Sequence, residues 1–214
     1  MTGKIKLVHS GGNSVSIAVP TSAPSASEVE FKLPQSDGSA NQVLKTDGSG
    51  NLSFAADSGG KFASYAIIAD QKTAGTNGGT FTSGDWRTRD LNTELADADG
   101  IVSISNNKFT LQAGTYLVKA SVPGHKVSRH MARLMNDTDG TAVAYGTSEY
   151  NHSSYAVTTR SIIMARFTIA GAKEFLISHN CAETKTNDGF GVQSNTYYTV
   201  PNEQYTMVEI YKES

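Results

Sequence analysis

An all-β chain is predicted by three features of the sequence. Apolar-alternating runs recur roughly every 8–12 residues, Gly, Asn or Asp stand between them, and no helical repeat is long enough to pack. The 20 glycines among 214 residues, with abundant Thr, Ser and Asn, fit short strands joined by frequent turns. The one helix-like pattern, from Leu91 to Asp97, is too short to contribute a packing layer.

Taken in order, residues 1–60 read as an extended β arm. Strand-like runs at 4–9, 14–19, 29–33 and 42–46 are each followed by punctuation: Ser10-Gly-Gly-Asn13, the stretch from Pro20 to Ser27, the stretch from Pro34 to Asn41, and Asp47-Gly-Ser-Gly-Asn51. Large apolar side chains are few: Ile5, Leu7, Ile17, Phe31, Leu33, Leu44, Leu52 and Phe54. A lone segment of this kind buries too little surface to offset its ordering entropy. It is therefore either a disordered tail or a segment that orders against other copies or a larger scaffold. In the second case Ile5, Leu7, Ile17, Val19, Phe31 and Leu33 are the anchoring side chains.

Residues 61–214 read as one β domain. The runs 62–68, 101–105, 109–112 and 116–122 come first, with Tyr116, Val118, Ala120 and Val122 on one face and Pro123-Gly124 as the expected stop. The runs 129–135, 142–145, 162–169, 173–179, 189–192, 197–200 and 205–211 follow. Many short strands at this spacing predict a sandwich or barrel.

Charge and composition exclude several classes. A net charge of −2 offers no basic surplus for nucleic acid. The cluster from Lys126 to Arg133 is interrupted by Val127, Met131 and Ala132, and is expected to be solvated. The single cysteine, Cys181, leaves no intrachain disulfide. The opening Met-Thr-Gly-Lys-Ile-Lys has no apolar segment of a secretory signal, and no run approaches a membrane span. The expectation is synthesis in a cytoplasm and no membrane insertion.

Candidate chemistry is sparse. His179-Asn-Cys181 sets an imidazole two residues from a thiol on one strand face, but no orienting carboxylate accompanies it, so an inert, partly buried thiol is expected. His125 and His130 lack two further zinc ligands nearby and read as structural. Asp97-x-Asp99-Gly100 and Asp137-x-Asp139-Gly140 lack the remainder of a calcium loop and read as Asx turns. Glu149, Glu174 and Glu183 form no recognisable carboxylate pair, and Gly75-Thr-Asn-Gly-Gly79 opens no helix for phosphate. Catalytic residues, metal and cofactor are thus all expected to be none. Trp86 is expected to anchor the domain.

Two stretches resemble known families. Phe31-Lys-Leu-Pro34 followed by Gly38-Ser-Ala-Asn-Gln-Val-Leu-Lys-Thr-Asp-Gly-Ser-Gly-Asn-Leu-Ser-Phe54 resembles a linker motif of tailed-phage fibres and other virion proteins, and Ser16-Ile-Ala-Val-Pro20 resembles the strand-plus-proline units preceding it. Phe109-Thr-Leu-Gln-Ala-Gly-Thr-Tyr-Leu-Val-Lys-Ala-Ser-Val122 is similar to the signature of C1q/TNF-like jelly rolls. Arg89-Asp-Leu-Asn92, Phe167-Thr-Ile-Ala-Gly-Ala-Lys-Glu-Phe-Leu-Ile177 and Tyr205-Thr-Met-Val-Glu-Ile-Tyr211 are matching context. The middle, from Thr138 to Arg160, lacks the family's usual residues, so no ligand loop is carried over.

These resemblances imply an N-terminal attachment arm followed by a C1q/TNF-like jelly-roll β-sandwich, assembled as a homotrimer. The implied setting is a virion: a capsid decoration, head fibre or short tail fibre whose partners are a major capsid or tail protein. The stretch Tyr145-Gly-Thr-Ser-Glu-Tyr150-Asn-His152-Ser-Ser-Tyr155 has the composition of a binding surface, rigid aromatic area with adaptable hydrogen bonding. It is either a face for a host surface receptor, with Tyr145, Tyr150, His152 and Tyr155 as contacts, or a long loop whose tyrosines pack on the trimer.

Overall fold

Alternation along a strand gives it one apolar face, and in the second part of the chain two sheets of such strands bring those faces together. The computed structural model describes residues 4–18, 20–24, 26, 28–57, 62–194, 197 and 199–213. They divide into two units, Met1–Ser58 and Gly59–Ser214.

The first unit contains two hairpins. β1 (Lys4–Val8) pairs with β2 (Ser14–Ala18), and β3 (Gln42–Thr46) pairs with β4 (Leu52–Ala56), both antiparallel. The β3–β4 turn is built by side-chain chemistry. The Asp47 carboxylate accepts from the Ser49 amide at 2.8 Å, the Asn51 amide at 3.2 Å and Asn51 Nδ2 at 2.6 Å. Gly50 sits at φ +87°, and a Cβ there would lie 2.7 Å from the Glu30 carbonyl oxygen, so glycine is required twice over. The 29–33 run forms a single parallel bridge, Lys32↔Asn51, instead of the expected strand. The Lys32 amide donates to Gly50 O, and Lys32 O accepts from the Leu52 amide, both at 2.8 Å. Among the anchoring candidates, Ile5, Leu7, Ile17, Phe31 and Leu33 are all exposed; Val19 lies outside the described residues.

The second unit is a sandwich. Its strands are β5 (Phe62–Thr73), β6 (Arg87–Thr88), β7 (Thr93–Ala96), β8 (Val102–Ser105), β9 (Lys108–Leu111), β10 (Gly114–His125), β11 (Ser128–Asn136), β12 (Thr141–Tyr145), β13 (Glu149–Asn151), β14 (Thr158–Ile169), β15 (Lys173–Cys181) and β16 (Asn202–Glu213). One sheet has the order β14-β10-β16-β5-β7. The other runs β12-β11-β15-β9-β8, with β13 added on β11 and β6 on β15. Consecutive long strands change sheet, β10 to β11 and β14 to β15, while β5 and β16, far apart in sequence, lie side by side. That winding is a jelly roll.

The core lies between the sheets. Tyr116, Val118, Ala120 and Val122 of β10 are buried, as their alternation predicts, together with Ile163, Val208, Ile210, Ala66 and Ile68 from the same sheet. Phe109, Leu111, Ala132, Leu134, Phe175 and Ile177 face them from the other, with the Phe109 and Phe175 rings stacked at 5.6 Å. Each Val, Leu, Ile or Phe among them contributes on the order of 1.5–3 kcal/mol on burial. The Tyr116 hydroxyl keeps a partner by donating to Gln112 O at 3.0 Å.

Three expectations are corrected. Leu91 to Asp97 contains β7, not a helical turn, because Thr93–Ala96 finds β5 as a ladder partner. β10 continues through Pro123-Gly124: its pairing with β16 ends at Ser121, so the absent proline amide interrupts no bond on that side. The run 189–192 is not a strand but a loop pinned by local bonds such as the Gly191 amide to Asp188 O at 2.9 Å; of the run 197–200, Tyr197, Thr199 and Val200 are not in a strand and Tyr198 lies outside the described residues.

Candidate functional site

Two groups of polar side chains collect on the seven-stranded sheet, one inside the sandwich and one on its outer face.

The inner group begins with Arg89, which alternation after β6 turns inward and which is fully buried. Its Nε donates to Thr206 Oγ1, its NH1 to Pro123 O and its NH2 to Phe190 O, each at 2.9 Å, and its guanidinium lies 4.0 Å from the Phe190 ring centre. Burial pushes it down to about 9, so it stays charged at neutral pH. Its NH1 also approaches His179 Nδ1 at 3.5 Å, and His179 Nε2 lies 2.9 Å from His130 Nδ1. His130 Nε2 in turn lies 2.7 Å from Thr159 Oγ1. A guanidinium only donates, so the line has one direction: His179 accepts at Nδ1 and donates from Nε2, then His130 does the same toward Thr159. Both imidazoles are neutral. Burial lowers His179 well below its ordinary value, and burial lowers His130 to about 4.

This line joins elements of both sheets at one end of the sandwich. His125 bonds Thr158 Oγ1 at 2.8 Å while His130 bonds His179 and Thr159, so the two are held apart in separate roles. Among the described residues no group of three His, Cys, Asp or Glu is placed to hold a metal. Cys181 is buried, its thiol pushed up by burial to about 11 and donating to Glu183 O at 3.3 Å, which makes it a poor nucleophile. Asp97 accepts from the Ile101 and Val102 amides at 2.9 and 3.0 Å, while Asp139 bonds Asn136 and Lys173, so both aspartates build turns.

The outer group surrounds a shallow depression of about 530 Å³ lined by Trp86, Arg129, Met131, Glu149, Tyr150 and Asn180, among others. Pairing of Thr88 with Ser178 puts the even positions of β6 on the outer face, and Trp86 extends that row. Its backbone is tied down: the Trp86 amide donates to Asp85 Oδ1 at 2.7 Å, and the Ser83 amide to Thr184 Oγ1 at 3.0 Å. The Arg133 guanidinium lies 4.0 Å over the Trp86 ring, and its Nε donates to Ser178 Oγ at 2.9 Å. Trp86 is therefore a half-buried surface ring and not the domain anchor its sequence suggested. The cluster from Lys126 to Arg133 is likewise only partly solvated. Val127 and His130 are buried, Arg129 lines the depression, and Arg133 lies beside it on the same sheet face, over the Trp86 ring.

The four predicted receptor contacts separate into two pairs. Tyr150 lines the depression opposite Arg129 on β13, whose guanidinium is 5.9 Å from its ring, and Tyr145 ends β12 with its ring 6.0 Å from Trp86. His152 and Tyr155 pack on each other at 4.7 Å in the loop before β14 and do not line the depression. Sequence reasoning did not find Arg89, the His130–His179 contact or the Trp86–Arg133 pair. The only local signal was parity: Trp86 and Thr88 share one phase of a short strand, and Arg87 and Arg89 the other.

No protein-family model matches the chain, and no curated protein matches it. Among solved structures it is similar to the globular domain of zebrafish complement 1qA protein, with 13% identity over 70% of this chain and 96% of that one, at a TM-score of 0.46. It is also similar to Eiger TNF from S. frugiperda, with 11% identity over 70% and 92% at 0.46, and to murine APRIL, with 9% identity over 70% and 98% at 0.43. The jelly-roll assignment rests on the strand order above.

Proposed function

We propose that the chain is a non-enzymatic structural protein of a tailed-phage particle, made in the host cytoplasm and built as a homotrimer whose β-sandwich head projects from the virion. The observation that carries the reading is the outer face of the five-stranded sheet. Ile162 and Met164 of β14 and Phe62 and Tyr65 of β5 are exposed there, Met164 at 62%. Leu117, Met207, Ile67 and Tyr211 lie between them on the same face by register. Polar relief comes from Lys119 with Glu209 at 3.5 Å and from Arg166 on Glu213 at 2.7 and 2.8 Å. A contiguous apolar face of this kind marks an interface. A closed three-fold arrangement covers it with two further copies of itself.

The arm supports the same reading. Its hairpins carry Ile5, Leu7 and Ile17 exposed, and two-stranded hairpins of this kind gain a core only by packing against a further layer, which other copies would supply. The resemblance of residues 31–54 to virion linker motifs supports reading that attachment as one to a phage particle, as a capsid decoration or head fibre, or as a short tail fibre, with a major capsid or tail protein as partner. Light scattering tests the assembly. The full chain is expected at three times 22.7 kDa, about 68 kDa, and Met164→Glu at lower mass. A wild-type monomer would overturn the trimer, and antibody that fails to label intact particles would overturn the virion placement.

A second reading, a receptor-binding module, is favoured by the aromatic and arginine side chains around the outer depression, with Tyr145 and Tyr150 at its margin. His152 and Tyr155 form a separate candidate contact in the adjoining loop. Loss of cell attachment in Tyr150→Ala with Tyr155→Ala, the fold intact, is the expected result.

A further inference from the structure

We propose that the depression on the outer face of the seven-stranded sheet binds an acidic saccharide, a sugar ring packing on Trp86 and Met131 while its carboxylate pairs with Arg129 or Arg133. The inference rests on the receptor-binding reading of this face and names its ligand class. It holds for a single chain and does not depend on the three-fold assembly.

Charge is the first argument. Arg129 is exposed and Arg133 half-buried, and among the described residues no carboxylate lies within ion-pair distance of either. The one carboxylate in the lining, Glu149, already accepts from Thr147 Oγ1 at 2.7 Å. Arg133 is also held in place: Ser178 fixes its Nε, and the Trp86 ring fixes the guanidinium plane, leaving its terminal nitrogens for a bidentate partner.

Shape and lining are the second argument. The floor is apolar and the rim polar. Trp86, Met131 and Tyr150 supply flat or soft area for the C–H face of a ring, and Asn180 supplies both a donor and an acceptor for hydroxyls. About 530 Å³ in an open, shallow form suits two or three linked sugars better than a folded protein surface, which needs a far larger area. Trp86, just before β6, and Arg133 of β11 meet before any ligand arrives, so little ordering is lost on binding.

The test uses the protein's own reporter. Trp86 is the only tryptophan of the chain, so its fluorescence reads this depression alone. The full-length protein is titrated with 3′-sialyllactose, a hyaluronan hexasaccharide and tri-galacturonate, with lactose and maltotriose as neutral counterparts and tri-glutamate as an acidic peptide. Saturable change with at least one acidic sugar, weakened by salt and absent with the neutral sugars, is expected. Arg133→Gln and Arg129→Gln should each weaken it roughly tenfold; the second leaves the Trp86 contact untouched and so guards against a local repacking artefact. Equal response to neutral sugars would overturn the acidic class while the binding face stands. Tighter binding of tri-glutamate would overturn the saccharide in favour of an acidic peptide. Silence from every probe, with unchanged circular dichroism, would overturn the inference; cell attachment lost in the tyrosine variants would then keep the face as a receptor site of other chemistry.

Discussion

The β1–β2 hairpin and the β10–β14 pair are both antiparallel ladders of alternating sequence, yet one leaves Ile5 and Ile17 in solvent and the other encloses Ile163. Ile17 is 69% exposed, while Ile163 is fully buried. Backbone pairing is equivalent in the two cases; the difference is a second layer. β10 and β14 have the seven-stranded sheet across from them, and among the described residues of its own unit the hairpin has no such layer. Ladder hydrogen bonds exchange water for protein partners at little net gain, so stability follows the buried side chains.

That comparison predicts a large asymmetry. Phe175→Ala should destabilise the head by about 3–5 kcal/mol, whereas Ile17→Ala should change unfolding of the head by less than about 0.5 kcal/mol. Denaturant titration followed by Trp86 fluorescence measures both, and equal effects would break the comparison. Next in size is Arg89→Met. It leaves Pro123 O, Phe190 O and Thr206 Oγ1 without their donor inside the head, and should cost about 2–4 kcal/mol in the same assay.

Acid should also act on the head before the arm. His130 titrates near 4 when folded and near its ordinary 6.5 when unfolded, and His179 is shifted the same way. The unfolded chain therefore binds more protons between those values. Stability is complete above about 6.5 and falls as pH drops toward 4, by up to about 1.4 kcal/mol per pH unit for each histidine. Buried Asp70, whose carboxyl is raised by burial, works in the opposite sense. Thermal melts from pH 7 to pH 4.5 measure the slope, and His130→Gln should flatten it. The most local effect belongs to the arm: Asp47→Ala removes three acceptor bonds from an exposed turn and should show only as faster amide exchange at Ser49 and Asn51, with the head unchanged.

Much of the head was legible because its strands alternate cleanly. The four positions of β10 assigned to one face are all buried, and most strand centres fall where apolar runs meet glycine or Asx turns. The candidate site was half legible. Tyrosine-rich composition pointed to residues 145–155; of these Tyr150 lines the depression, and Tyr145 meets it only through a ring contact of 6.0 Å with Trp86. Trp86, Arg129 and Arg133 escaped because they come from segments more than 40 residues apart that meet only through the β6–β15–β11 ladder. The same holds for Arg89, whose three partners lie 34, 101 and 117 residues away.

By itself, the sequence determined the strand periods, the turns and the poverty of the arm in core-forming residues, since each depends on neighbours within a few positions. Only the tertiary structure decided which polar side chains went inside. Parity in a two-residue strand such as β6 is too short to read without its partner. Its pairing with β15 sets Arg89 against His179 in the interior and Trp86 against Arg133 outside.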